Sequence, residues 1–325
     1  MKTRVRPLAS ESLGVRSMAT FIETPDVKIL FDAGAALGFR AGLLPHPSEY
    51  EALAHARQEI RDFAAKADIV TISHYHFDHY TAPWNQQDTV WTWSNIDESK
   101  AIYGGRVVYA KDYREAINPS QRRRGYIFHK IAERFVGELK ISDSASFDIG
   151  TTHLQFTPPL AHGEDESPMG YTVGLSVERG NDKVMICSDI QGPISETTLK
   201  YILKMNPRLL ILGGPPLYLE GYRVSAESIS HARSNLRCLV KSIPSIIVDH
   251  HLLRSEDGLK MVTMERKIAA EYGNKLQTMA EFSGRENNLL EARRRLLYEE
   301  APPHPEFQKW LKLPRRQREV TLPPL

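Results

Sequence analysis

Hydrophobic positions along the chain follow two periods in alternation. Short runs of apolar and β-branched residues are separated by longer stretches in which apolar residues recur every three to four positions. Residues 27–32 (VKILFD) and 69–73 (IVTIS) read as strands, and further strands are expected at 153–157, 171–177, 184–187, 209–212 and 246–248. A helix is expected from Ser48, with Glu51 three residues later as a capping box. Its apolar face is Leu53, Ala56, Ile60, Phe63, Ala64 and Ala67. Helices are also expected at 195–205 and 225–243, the second with an inward stripe of Ile229, Ala232, Leu236, Leu239, Val240 and Ile243. Residues 263–300 carry a helical pattern interrupted at Gly273 and Gly284. Strands interleaved with helices in both halves imply an α/β layered domain.

Composition narrows the class. The chain has 325 residues, 41% hydrophobic and 25% charged, as expected of an ordinary globular domain with a sizeable core. Lys and Arg total 42 against 40 Asp and Glu, a net charge of +2, so the overall balance gives no indication of a nucleic-acid partner. No stretch approaches the roughly 20 apolar residues of a membrane helix, and residues 1–9 hold no apolar core of a signal peptide. Two cysteines, Cys187 and Cys238, cannot staple a fold of this size, and a cytoplasmic location is expected. Cys187, inside an apolar strand, reads as a buried small hydrophobe.

The chemistry concentrates in TISHYHFDHY, residues 71–80. His74, His76, Asp78 and His79 fall within six positions, directly after an apolar strand. Imidazole nitrogen and carboxylate oxygen are ligands that divalent zinc, manganese and iron accept, and a tight loop can turn all four towards one point. Other apolar runs also end in a candidate ligand: Asp32 after 27–31, His162 beyond 153–157, Asp189 after 184–188, and Asp249-His250-His251 after 245–248. Ligands at strand ends gather along one edge of a layered sheet.

In this order and spacing, Asp32, His74-x-His76-x-Asp78-His79, His162, Asp189 and His250 resemble the five motifs of the metallo-β-lactamase superfamily, over roughly residues 15–255. VRSMATFIET, INPSQRRRGYIF, GGPPLYL and DHHLLR make it most similar to a little-characterised prokaryotic branch of predicted hydrolases. The resemblance implies an αββα sandwich, two mixed sheets flanked by helices, with a two-metal site at one edge. A single domain over 1–300 is expected from the interleaved strands and helices, with a family-specific insertion at about 80–150, and residues 301–325, rich in Pro, Arg and Lys, are expected to pack on it as an extended tail. The resemblance further implies that His74, His76 and His162 bind one divalent ion, that Asp78, His79 and His250 bind a second, and that Asp189 bridges them. Zinc, manganese and iron are the candidates. Asp32 is expected to hold a ligand imidazole or its loop. His250 is favoured over His251 as the last ligand, and His251 is expected to face substrate or to bond nearby backbone. Asp78, Asp189 and His251 are the expected catalytic groups.

Two cations roughly 3.5–4 Å apart can hold a bridging hydroxide that is nucleophilic at neutral pH. The expected function is therefore metal-dependent hydrolysis. From Lys100 to Lys140 ten basic residues face four acidic ones, and Arg122, Arg123 and Arg124 are either a solvated helix face or a phosphate-capturing group. This tips the reading towards a phosphodiesterase acting on small-molecule or short single-stranded phosphoesters. A lactone, carboxylic ester or thioester hydrolase on the same site is the alternative. A non-catalytic metal- or redox-sensing module, favoured by a closed cleft, is the alternative from another class. Trp84, Trp91 and Trp93 either wall the cleft or pack in the sandwich. His46 reads equally as a loop residue near the site or part of a rigid turn. The basic run Arg315, Arg316 and Arg318 reads as solvated or as a contact in a homo-oligomer, which stays open.

Overall fold

Successive residues of a strand point to opposite faces, and here both faces are apolar, so each sheet must be covered twice. A computed structural model describes residues 3–85, 90–165, 168–318 and 321–325; the side chains of Arg315 and Arg316 lie outside the described part. Strands β1 (Arg4–Pro7), β2 (Thr20–Glu23), β3 (Lys28–Phe31), β4 (Ile69–Ile72), β5 (Val107–Ala110) and β6 (Glu138–Ile141) form one sheet in that order. It is antiparallel from β1 to β3 and parallel from β3 to β6. Strands β7 (Ser146–Ile149), β8 (Thr152–Phe156), β9 (Leu175–Arg179), β10 (Asp182–Ile186), β11 (Leu209–Gly213), β12 (Ser245–Asp249) and β13 (Lys275–Gln277) form the other. It is antiparallel from β7 to β10 and parallel from β10 to β13.

The side-chain alternation divides the core into three layers. Ile29 and Phe31 of β3 meet Val184 and Ile186 of β10 and Leu209 and Ile211 of β11 between the sheets. Leu30, Val70 and Val108 point the other way, under helices α1 (Pro47–Ala64), α2 (Ile96–Tyr103) and α3 (Pro119–Ala132). Met185, Leu210 and Ile246 do the same under α4 (Glu196–Met205), α5 (Ala226–Ser242) and α6 (Glu256–Glu271). The result is the expected αββα sandwich. Cys187, one residue past the end of β10, is fully buried in the second helix–sheet layer.

Several boundaries differ from the sequence reading. Helix α1 starts earlier, because His46 is its N-cap: the ring accepts from Ser48 N and the Glu49 carboxylate returns to the His46 backbone, with Pro47 at the first helical position. The strand expected at 171–177 is broken; Tyr171–Thr172 pairs with Leu160–Ala161, and β9 begins at Leu175. The pattern over 263–300 is the end of α6, then β13 at the sheet edge, then two short helices, Met279–Phe282 and Arg294–Glu300. Residues 80–150 hold α2, α3, β5 and β6, so this stretch contributes a third of the first sheet's strands. The tail is not extended chain: Pro305–Leu311 is helical, and Phe307 and Trp310 are buried with Tyr50 at centroid distances of 5.9 and 5.5 Å. Among the described residues no helix is long and apolar enough to cross a membrane.

Candidate metal centre

The parallel halves of both sheets end at one edge, and the chain turns sharply there. Asp32 follows β3, Ser188 and Asp189 follow β10, and His250 follows β12. Asp32, Ser188 and His250 adopt left-handed backbone, with φ of 53°, 56° and 61°, unusual for non-glycine residues. The loop after β4 closes directly onto Gly34: a Cβ there would lie 2.2 Å from Tyr80 N and 2.5 Å from His79 C. Only a glycine permits that approach of two backbones.

Asp32 is the hub beneath the loop. Its carboxylate accepts from Ser73 N (2.8 Å), Ser73 Oγ (2.6 Å) and Ser188 Oγ (2.6 Å), and lies 2.8 Å from His79 Nδ1. Ser73 Oγ, its proton directed at Asp32, lies 2.9 Å from His74 Nδ1 and accepts there. These contacts put the protons of His74 and His79 on Nδ1 and leave both Nε2 atoms as lone pairs facing the cleft. Asp32 thus ties Ser73, Ser188 and His79 together beneath the loop.

Two groups of ligand atoms converge above this hub. His74, His76, His162 and Asp189 bring one donor atom each within 4.8 Å of one another, and Asp78, His79 and His250 do the same beside them. His74 Nε2 and His76 Nδ1 are 3.0 Å apart, and His79 Nε2 and His250 Nε2 3.2 Å. Asp189 Oδ2 lies between the groups, 3.5 Å from His162 Nδ1 and 3.3 Å from His250 Nε2. Two buried atoms here, His162 Nδ1 and Asp189 Oδ1, have no hydrogen-bond partner. Facing imidazole lone pairs and orphaned buried donor atoms are costly unless a cation sits among them, so the residues fit divalent metal ions.

The electrostatics point the same way. Burial, reinforced by neighbouring imidazoles, holds His74 and His76 well below their ordinary pKa, in the neutral form that ligates. Burial opposes the charge on Asp78 and Asp189, yet His79 and His250 around Asp78, and His162 and His251 around Asp189, keep both well below the carboxylate range. Burial also disfavours a charged His250, but Glu11 and Asp189 outweigh it and push this imidazole up to about 10. Two carboxylates flanking one ring call for positive charge, supplied by a proton or by a metal ion.

His251 occupies a different position. Its Nε2 is 3.1 Å from Asp189 Oδ2, and its Nδ1 is 2.6 Å from Tyr218 Oη, with the two rings stacked at 14°. Burial lowers its pKa to about 4. It lines the cleft with His76, Asp78, His162 and Asp189, whereas His250 is fully buried beneath. The open cleft above them measures about 560 Å³ and is also lined by Arg16, Arg40, Arg124, Arg223 and Arg254.

The substrate residues read from sequence need correction. Consecutive helical residues are about 100° apart, so three arginines in a row cannot share a face. Gln121 and Arg124, three apart, look towards the metal loop: Gln121 Nε2 is 3.3 Å from His76 Nε2, and Arg124 donates to Tyr75 O (3.1 Å) and lies 4.4 Å over the Phe77 ring. Arg122 and Arg123 turn outwards, into a separate surface groove with Tyr113 and Tyr126. Trp84 does not wall the cleft; it packs edge-on against Phe77 and Tyr80, and Trp91 and Trp93 pack against Tyr50.

Known proteins share this chain along nearly its whole length. It is 36% identical over 310 residues to a UPF0282 protein of Korarchaeum cryptofilum, covering 94% of this chain and 98% of that one. A UPF0282 protein of Thermococcus sibiricus is 40% identical over 294 residues, covering 90% and 93%. The chain belongs to the UPF0282 family. No family model matches it. Solved structures align more loosely: a metallo-β-lactamase fold protein, YhfI from Bacillus subtilis, at 13% identity and a TM-score of 0.46 over 86% of this chain and 97% of that one, and CmlA, a diiron β-hydroxylase from Streptomyces venezuelae, at 13% and 0.49 over 85% and 52%.

Around the ligand groups stand residues that the sequence reading missed. Glu11 reaches His250 Nδ1 (3.0 Å) and Arg254 Nε (2.7 Å), and Arg254 reaches Asp78 (3.0 Å) and Tyr218 Oη (3.2 Å). Gln191 Nε2 is 3.2 Å from His162 Nε2. Arg254 carried a signal only in its nearness, four residues beyond His250 in the same short turn. Glu11 carried none, because only tertiary packing brings it 239 positions to His250.

Proposed function

We propose that this protein is a metal-dependent hydrolase of the metallo-β-lactamase type, acting on phosphodiesters. The observation that carries the reading is the pair of adjoining ligand groups under an open cleft, with Asp189 Oδ2 of the first 3.3 Å from His250 Nε2 of the second. His74, His76 and His162 would hold one divalent ion and Asp78, His79 and His250 a second, with Asp189 between them. Such ions supply Lewis acidity and make coordinated water acidic enough to act near neutral pH. The chain's own groups bind and orient. Asp32, Ser73 and Glu11 fix the imidazoles. Arg124, at the cleft wall, supplies a fixed fork for a phosphate oxygen. His251, held by Tyr218 and reaching the cleft, is placed to hydrogen-bond the substrate. An open cleft rimmed by five arginines supports turnover of an anionic substrate over a closed sensing module. Zinc, manganese and iron are all compatible with the nitrogen and oxygen donors.

The test compares an aryl phosphodiester with a matched aryl ester and a lactone, using protein stripped of metal and reloaded with zinc, manganese or iron(II). Phosphodiester turnover that needs metal and falls to background in His76→Ala supports the reading. Preference for the acyl substrates would move the assignment to the ester or lactone class. No turnover with any metal would leave a binding module.

A further inference from the structure

The two ligand groups differ in what surrounds them. Each imidazole of the first group backs onto a neutral partner: Ser73 Oγ at His74, Gln121 at His76, Gln191 at His162. The second group contains a fixed cation. Arg254 is buried, at 5% exposure, and its guanidinium is held on three sides: Nε to Glu11 at 2.7 Å, Nη1 to Tyr218 Oη at 3.2 Å, and Nη2 to Asp78 Oδ2 at 3.0 Å. The same Nη2 lies 3.3 Å from His250 Nε2, the ring nitrogen that faces His79. A guanidinium does not lose its proton in a protein, so this positive charge is permanent.

We propose that Arg254 makes the two metal positions unequal: the His74, His76 and His162 position fills first, and Arg254 shares Asp78 with the second ion and weakens its binding. The inference rests on the two-metal part of the reading above and not on the substrate. A carboxylate already neutralised by a guanidinium is a poorer ligand, and an ion entering beside it meets like charge in a low-dielectric site. Glu11 offsets part of that repulsion, since its carboxylate touches both Arg254 and His250. The second ion is therefore expected to be exchangeable while the first is retained. Arg254 also lines the cleft, so an anionic substrate drawing the guanidinium away from Asp78 would tighten the second ion.

The experiment is calorimetric titration of metal-free full-length protein with zinc, and separately with manganese, with bound ions counted by elemental analysis. Changes around a ligand shift metal affinity by roughly 10–100-fold, which sets the scale expected here. Wild type should show two classes of site at least about 10-fold apart. Arg254→Met should tighten the weaker class by about 10–100-fold and leave the tighter one in place. Glu11→Gln, which removes the counter-charge and keeps the shape, should widen the gap, and stands in should Arg254→Met fail to fold by circular dichroism. Two equal sites in wild type, or a weaker class that loosens in Arg254→Met or tightens in Glu11→Gln, would overturn the inference and leave the hydrolase reading intact. Binding of no metal by wild type would overturn both.

Discussion

Asp32 illustrates how much of the centre depends on side chains that touch no ligand atom site directly. It is fully buried and serves Ser73, Ser188 and His79 at once. Asp32→Ala leaves those donors unpaired in the core, so a loss of about 3–5 kcal/mol in denaturant unfolding is expected. The metal affinity of the refolded variant should fall roughly 10–100-fold in the same titration. Glu291 gives a pH prediction. Burial acts to raise its pKa, but the bidentate Arg16 contacts at 2.6 Å outweigh it and bring the carboxyl down from 4.5 to about 2. The stabilisation is then complete above pH 4.5 and disappears as pH falls through 2. Melting temperatures of wild type and Glu291→Gln should differ at neutral pH and converge on acidification; a gap that stays constant to pH 2 would refute it. The clustering of the candidate ligands was legible because His and Asp at strand ends carry chemistry in their identity. Glu11 and Tyr218 were not, since an acid and a phenol are ordinary anywhere on a surface and only packing brings them here.

Among elements, the loop from His74 to Tyr80 is shaped by its closure onto Gly34. Gly34→Ala puts a methyl where backbone of His79 and Tyr80 stands, so the loop must move. The variant should lose metal binding even where it folds; unchanged affinity would show the loop to be compliant. Helix α3 yields a sharper comparison. Arg124 lies in the cleft wall while Arg122 and Arg123 line an outer groove. Arg124→Ala should raise KM for a phosphodiester severalfold, and Arg122→Ala with Arg123→Ala should leave it within about twofold; the reverse order in steady-state kinetics would contradict the placement. Strands β3, β4, β10, β11 and β12 were legible, because parallel strands buried on both faces are continuous apolar runs. Strands β1, β6, β7 and β13 escaped, since RVRP, ELKI, SFDI and KLQ mix charge with apolar positions at the sheet borders, and the inner strands β2 and β5, TFIE and VVYA, were not read as strands either. The interruption at Gly273 was legible, but the short β13 that follows it was hidden inside a helical period that α6 begins and later turns resume.

At the scale of the molecule, the sandwich is closed across its metal edge by contacts far apart in sequence. Asp249 accepts from Ser12 N (3.0 Å), Ser12 Oγ (2.5 Å), Met279 N (2.9 Å) and its neighbour His250 N (2.9 Å), tying the N-terminal segment and the helix after β13 to the end of β12. Arg294 makes a buried bidentate pair with Glu49 at 2.7 Å, fixing the C-terminal helices on α1. The layered architecture followed from the alternation of strand and helix periods, but the ties from Ser12, Met279 and Arg294 did not, since each joins residues separated by at least 30 positions. They set how closely the edges of the two sheets approach, and hence whether ligands from both can serve one pair of ions. The most direct measurement is an anomalous-scattering map of crystals grown at saturating zinc or manganese. Two peaks roughly 3.5–4 Å apart are expected. Asp189 should lie between them, with His74, His76 and His162 around one and Asp78, His79 and His250 around the other. A lone peak, or ions bound away from His162 and Asp189, would contradict the account.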